Sequence, residues 1–290
     1  MSDLVHIRGR AVGPGEPCYV IAEIGINHNG DLEVARALIS AARAAGCDAV
    51  KFQKRTPDVV TPPDQRDVLR ETPWGVIPYI DYRHRIEFGQ SEYEQIAAHC
   101  RSEQIEWFAS CWDEDSADFI EQFDPACYKL ASASLTDDAL LRHHRALGKP
   151  IILSTGMSSL EQIDHAVEVL GSDDLILLHS TSTYPARIEE LNLRAIATLA
   201  ERYDVPVGYS GHEVGLAPSL AAAALGACVI ERHITLDRAM WGSDQSASVE
   251  PQGFTRLVRD IRVVEAALSD GVKRVYESER EVQAKLRRIP

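Results

Sequence analysis

No two cysteines in the 290-residue chain are spaced as CxxC, and no Cys/His cluster has zinc-finger spacing, which excludes a finger-type zinc module. Several of the six cysteines (Cys18, Cys47, Cys100, Cys111, Cys127 and Cys228) sit in apolar runs such as CYVIAEIG and ACVIERHI, and so read as reduced, buried thiols of a cytoplasmic protein. The opening stretch MSDLVHIRGRAVGPGEP lacks the apolar core of a signal peptide. No apolar stretch reaches the roughly 20 residues that span a bilayer. Positive charge is scarce: 30 Lys and Arg against 44 Asp and Glu leave a formal net charge of −14. Such a surface repels nucleic acid and anionic membranes, so neither is expected as a partner. An anionic substrate would need a locally basic pocket. No GxGxxG follows a strand-like run, which argues against the dinucleotide-binding form of a doubly wound sheet.

What is present is an alternation. Eight short β-rich runs, 18–25, 49–53, 106–111, 127–132, 150–156, 175–181, 206–212 and 228–236, alternate with segments of helical period. The runs are almost continuously apolar, as strands buried on both faces of a parallel sheet are. The helical segments carry end signals: Asp31 as an N-cap, a Ser91/Glu94 capping box, and Gly46, Gly148, Gly171 and Gly226 at or past C-termini. Strict alternation predicts an α/β fold, a single-domain (β/α)8 TIM barrel over 18–270. An N-terminal extension (1–17) precedes it and a charged C-terminal tail (271–290) follows. The long insertion after the second strand, 55–89, has the length of a functional lid or contact surface.

Barrel enzymes place their chemistry at the C-terminal ends of the strands. Those ends carry Glu23, Asn27 and His28, then Lys51 and Gln53, then Ser110. Next come Lys129, Ser132 and Ser134, then Ser154 and Thr155, then His179, Thr181, Ser182 and Tyr184. The last two strands supply Ser210 and His212, then Glu231, Arg232 and His233, with Asp244 soon after. So many buried polar groups need partners or a ligand. Two lysines and several hydroxyls on one face form an anion site suited to phosphate or carboxylate. His212 and His233, on adjacent strand ends, can share one divalent cation. His28 and His179 read instead as hydrogen-bonded structural groups. Lys51 or Lys129 taken alone has a second reading, as the ion-pair partner of a barrel glutamate.

Seven stretches in order, AEIGINHNGD (22–31), VKFQ (50–53), YKLAS (128–132), ILSTGM (152–157), HSTSTYP (179–185), VGYSGH (207–212) and ERHITLDRAMWGSD (231–244), resemble the N-acetylneuraminate (sialic acid) synthase family. The resemblance implies a transferase that condenses phosphoenolpyruvate with the aldehyde of an aldose such as N-acetylmannosamine, with a divalent metal (Mn, Mg or Co). By position it implies phosphoenolpyruvate contacts at Lys51, Ser110, Lys129, Ser132, Ser154, Ser182 and Ser210, metal ligands at His212 and His233, and Glu23, Gln53, Tyr184 and Asp244 facing the sugar. Glu23, Lys129 and Asp244 are the expected catalytic groups. Three positions depart from the family's usual pattern: Ser134 stands where an acid is usual, Ser182 where Asn is usual, and Gly211 where an acid is usual. The family's usual C-terminal antifreeze-like domain would begin about where this chain stops, which implies a short form whose sugar contacts differ. Other readings are a Schiff-base aldolase or lyase using Lys129, a non-catalytic sugar or phosphate sensor, and the same condensation on a phosphorylated aldose. An uncapped barrel rim and the charged tail point to a homo-oligomer.

Overall fold

The computed structural model describes residues 4–289. The chain opens with an antiparallel hairpin, β1 (Val5–Ile7) and β2 (Arg10–Val12), and then enters a closed parallel barrel. The barrel strands are β3 (Tyr19–Gly25), β4 (Ala49–Lys54), β7 (Glu106–Cys111), β8 (Tyr128–Leu130), β9 (Ile151–Ser154), β10 (Leu175–Ser180), β11 (Val207–Gly211) and β12 (Val229–His233). Each matches one predicted run, and β12 pairs with β3 to close the ring. Around them lie α1 (Leu32–Ala44), α5 (Gln90–Glu103), α6 (Glu114–Glu121), α7 (Asp138–Ala146), α8 (Leu160–Leu170), α9 (Ala195–Tyr203), α10 (Ala217–Ala224) and α11 (Pro251–Leu268). The insertion after β4 folds as α2 (Pro57–Val60), α3 (Pro63–Arg66), the hairpin β5 (Leu69–Thr72) and β6 (Gly75–Pro78), and α4 (Tyr79–Ile86). A last helix, α12 (Glu277–Leu286), lies in the tail.

Local chemistry accounts for the helix starts. The Asp31 carboxylate accepts the N–H groups of Glu33 and Val34 at the head of α1. Ser159 and Gln162 form a reciprocal capping box on α8, and Pro251 opens α11, where its missing N–H costs nothing. One expected cap is corrected. The N-cap of helix α5 is Gly89, two residues before the expected cap Ser91, and the Gly89 N–H donates to Glu92 Oε2 at 3.0 Å, so Glu92 and not Glu94 answers the cap.

Strand alternation sorts the side chains into two cores. Outward residues such as Val20, Val50 and Phe52 pack against Leu38, Ile96, Leu141 and Leu257 of the helices. Inward residues Tyr19, Ile21, Phe108, Ile152, Leu178 and Val229 fill the lower barrel together with Val5, Ile7 and Val12 of the N-terminal hairpin. The hairpin therefore plugs the end where the strands begin, and every inward position above that apolar layer is free for polar chemistry.

One buried ion pair stands outside the barrel wall. Arg232 projects away from its neighbours Glu231 and His233 and donates to Glu213 Oε1 at 2.9 Å and to Ser219 Oγ on α10 at 2.8 Å. Tyr209 donates to the other Glu213 oxygen at 2.9 Å. A Cβ at Gly211 would lie 2.5 Å from Glu213 Oε2, so the Glu213 carboxylate occupies the space that a side chain at position 211 would need. This network ties β11 and β12, which present His212 and His233, to α10. Glu213→Ala leaves a buried guanidinium without its counter-charge and is expected to lower stability by about 3–5 kcal/mol, read from urea unfolding.

Candidate active site

Two adjoining cavities open at the C-terminal end of the barrel. The smaller, 230 Å³, is lined among others by Glu23, Lys51, Gln53, Ser110, Lys129, Ser132, Ser154, Ser182, Tyr184, Ser210, His212, Glu231 and His233. The larger, 560 Å³, is lined largely by the insertion and adjoins the smaller along Gln53, Trp112 and Tyr184, which line both. The fold thus gathers all the expected site residues but one around the smaller cavity. The exception is Asp244, which lines the larger one, with its Oδ2 still 3.8 Å from His233 Nδ1.

Register explains the gathering. Glu23 lies beside Lys51 on one side and His233 on the other; Gln53 lies beside Ser110, Ser110 beside Lys129, and Ser210 beside Glu231. These are the inward positions directly above the apolar layer. His28 and His179 have structural partners: His28 stacks on Phe88 at 4.1 Å and accepts the Gly30 N–H, while His179 bonds the Leu191 carbonyl at 2.7 Å.

At the floor, four ionisable groups are buried together. Lys51 Nζ is 2.8 Å from Glu23 Oε2, 3.8 Å from Glu231 Oε2 and 2.9 Å from Ser110 Oγ. Lys129 Nζ donates to Ser154 Oγ at 2.6 Å and to the Leu130 carbonyl at 3.1 Å. The two carboxyls diverge in acidity. Burial pushes Glu23 up to about 7, against the opposing pull of Lys51. Burial would raise Glu231 as well, but the ammonium groups of Lys129 and Lys51 and the Ser210 hydroxyl outweigh it and hold that carboxyl below the ordinary range. Burial also draws Lys129 down to about 8. Lys51 goes the other way, because Glu23 and Glu231 together overcome its desolvation. Two carboxyls with separated acidities are the arrangement that divides a proton carrier from a fixed charge.

Above the lysines sits a hydroxyl ring. The Gly156 N–H donates to Ser132 Oγ at 3.0 Å, and Ser132 Oγ lies 3.3 Å from Ser180 Oγ. A Cβ on Gly156 would fall 2.2 Å from Ser182 Oγ and 2.9 Å from Ser132 Oγ, so only glycine leaves these hydroxyls room to face the cavity.

The two expected metal ligands face each other with ring centroids 5.6 Å apart. Burial, together with each other's proximity for His212, pulls both below the usual histidine range, His212 to about 4, so both rings are neutral. His212 Nδ1 donates to the Thr181 carbonyl at 2.8 Å, which leaves Nε2 bare; it accepts from Tyr184 Oη at 2.9 Å. His233 Nδ1 is buried without a hydrogen-bond partner. Neutral imidazoles with an orienting carbonyl and an orphaned nitrogen are chemically fit to ligate a divalent cation. Among the described residues no three His, Cys, Asp or Glu side chains form a ready-made metal cluster.

Some lining groups had no role assigned from sequence. Glu231 was visible at a strand end, and its place two residues before His233 was the signal that both point inward. Gly156 offered a weaker signal, a glycine directly after a strand ending in Ser-Thr. Trp112 offered none.

Comparison with known proteins places this barrel in a family. The NeuB family profile matches residues 38–273, and the chain belongs to that family. It is 36% identical to the N-acetylneuraminate-9-phosphate synthase of Homo sapiens, over 96% of this chain and 79% of that protein. It is 35% identical to the N,N'-diacetyllegionaminic acid synthase of Legionella pneumophila, over 95% of this chain and 80% of that one. Among solved structures, the N-acetylneuraminic acid synthetase of Leptospira borgpetersenii, in complex with citrate, superposes with a TM-score of 0.88 at 30% identity, covering 100% of this chain and 99% of that one. The chain is therefore an enzyme of the sialic acid synthase type.

Gly156→Ala is expected to displace the Ser132 and Ser182 hydroxyls and weaken inorganic phosphate binding at least about tenfold with little change in melting temperature. Titration calorimetry reads the first quantity and thermal unfolding the second.

Proposed function

We propose that this enzyme condenses phosphoenolpyruvate with the aldehyde of an aldose, giving a 2-keto-3-deoxy sugar acid of the nonulosonic type and inorganic phosphate. The observation that carries the reading is the floor of the smaller cavity, where two lysines, a hydroxyl ring and two carboxyls of separated acidity face a pair of neutral imidazoles.

Lys51 and Lys129, with Ser110, Ser132, Ser154, Ser182 and Ser210, hold the carboxylate and phosphate of phosphoenolpyruvate and fix its C3 toward the upper cavity. C3 forms a bond to the aldehyde carbon, and the carbonyl electrons move to its oxygen. Water then adds to the electron-poor C2, and the C2–O bond to phosphate breaks, leaving the ketone. Glu23 takes the proton from that water and passes it to the alkoxide formed from the aldehyde, because its acidity is tuned near neutrality by burial. Glu231 stays ionised and balances the lysines. Gln53 orients the Glu23 carboxyl through a 2.9 Å hydrogen bond. Asp244 and Tyr184 meet the sugar hydroxyls from the side of the larger cavity. His212 and His233 would hold a divalent cation, manganese, magnesium or cobalt, which when bound supplies Lewis acidity at the aldehyde oxygen.

Phosphate release from phosphoenolpyruvate is expected with metal and an aldose, and not after chelation or in His212→Ala. Turnover by chelator-treated His212→Ala would sink the metal assignment. Lys129→Ala is expected to raise the KM for phosphoenolpyruvate by about 10–100-fold, the effect of losing a charged hydrogen-bond donor. Borohydride with substrate is expected to leave Lys129 unmodified; a trapped adduct would instead mark a Schiff-base lyase.

The pH profile follows from signs. Below about 7 Glu23 holds its proton and cannot accept another, and above about 8 Lys129 loses the charge that binds the anion. A bell-shaped kcat/KM for phosphoenolpyruvate, highest between those values, is the expected result, with apparent limbs that belong to the coupled quartet. A rate flat from pH 6 to 9 would remove Glu23 and Lys129 from these roles.

A further inference from the structure

We propose that the larger cavity, built by the insertion over the barrel mouth, seats a phosphomonoester on the sugar, so that the aldose partner is a sugar phosphate. The inference rests on the condensation reading above and adds its substrate class.

Three guanidinium groups, Arg55, Arg70 and Arg83, line this 560 Å³ space, in a chain whose formal net charge is −14. The insertion supplies all three. Arg55 is 5% exposed, and its Nε and Nη1 have no hydrogen-bond partner. Its Nη2 donates to Gln53, its plane lies 4.3 Å over the Trp112 ring, and its nearest carboxylate, Glu87, is 3.7 Å away. That carboxylate is also shared with Lys54 at 3.7 Å. Arg83 has a buried Nε without a partner. Arg70 and Arg83 both lie over the ring of Tyr79, at 4.3 and 5.4 Å, which holds two like charges near one another. Burial and the neighbouring Arg83 pull Arg55 down to about 10, the mark of a guanidinium short of counter-charge. Arg85 is excluded from the set: it lies 5.5 Å over Trp74 and does not line the cavity.

Two carboxylates line the same space, Glu71 on the exposed hairpin and Asp244 on the side facing His233. Three guanidiniums against two carboxylates still leave an excess of positive charge, and the unpartnered donors belong to Arg55 and Arg83. Planar guanidinium forks match phosphate geometry in pairs, which a neutral sugar hydroxyl cannot exploit. The smaller cavity already has its own anion ligands in Lys51, Lys129 and the hydroxyl ring. The two positive clusters lie on opposite sides of Gln53 and Tyr184, as an aldose with its aldehyde at one end and its phosphate at the other requires.

The test is steady-state phosphate release from phosphoenolpyruvate with N-acetylhexosamines and with their 6-phosphates, using wild-type, Arg83→Gln, Arg83→Lys and Arg70→Gln enzymes. Wild-type enzyme is expected to prefer a 6-phosphate by at least about tenfold in kcat/KM. Arg83→Gln and Arg70→Gln are expected to raise the KM for the sugar phosphate about tenfold while leaving the KM for phosphoenolpyruvate unchanged, and Arg83→Lys to restore part of the loss. Equal or better use of the unphosphorylated sugar overturns the inference and leaves the condensation reading standing. So does a parallel rise in the KM values of both sugar forms. No phosphate release with any aldose overturns the condensation reading and this inference together.

Discussion

The site depends on one lysine that cannot satisfy two acids equally. Lys51 reaches Glu23 at 2.8 Å and Glu231 only at 3.8 Å, yet Glu231 keeps its charge more firmly because Lys129 and Ser210 also serve it. Among buried groups, that inequality separates two chemically identical carboxyls into different states. Geometry alone would rank them the other way. The balance of cations around each acid decides, and strand register sets that balance.

Register in turn rests on the apolar layer beneath. Every second residue of a strand faces inward, so a polar tier can sit only where the layer below is filled and fixed. The plug formed by β1 and β2 completes that layer from outside the barrel sequence. Behind the wall, the pair of Arg232 and Glu213 keeps β11 and β12 in place. A buried pair of this kind is more costly to break than it is stabilising to have, which makes it a specificity device for the strands that carry His212 and His233.

Much of the barrel is legible because parallel strands announce themselves as short apolar runs, and each of the eight runs overlaps one barrel strand, some overshooting it by three or four residues. The same property hid the facing of each residue. With both strand faces apolar, LILLHS does not say whether His179 or Ser180 looks inward, and only the register shows that His179 turns out to the Leu191 carbonyl. The polar strand-end residues were legible as a set, because their number exceeded what packing explains. What sequence could not show was which of them share a charge. The start of α5 was misplaced because a glycine without a side chain anchors it, so the capping signal sat on Glu92 alone. The insertion was readable as a long loop, but its hairpin and short helices were not, since four-residue elements carry too little periodicity to register.

The plugged base has a consequence for traffic. With the lower barrel filled by Val5, Ile7, Val12 and the inward apolar layer, molecules enter and leave only through the mouth. The smaller cavity adjoins the larger along Gln53, Trp112 and Tyr184, and both open at that mouth. On the proposed chemistry, both reactants and both products therefore share that one opening.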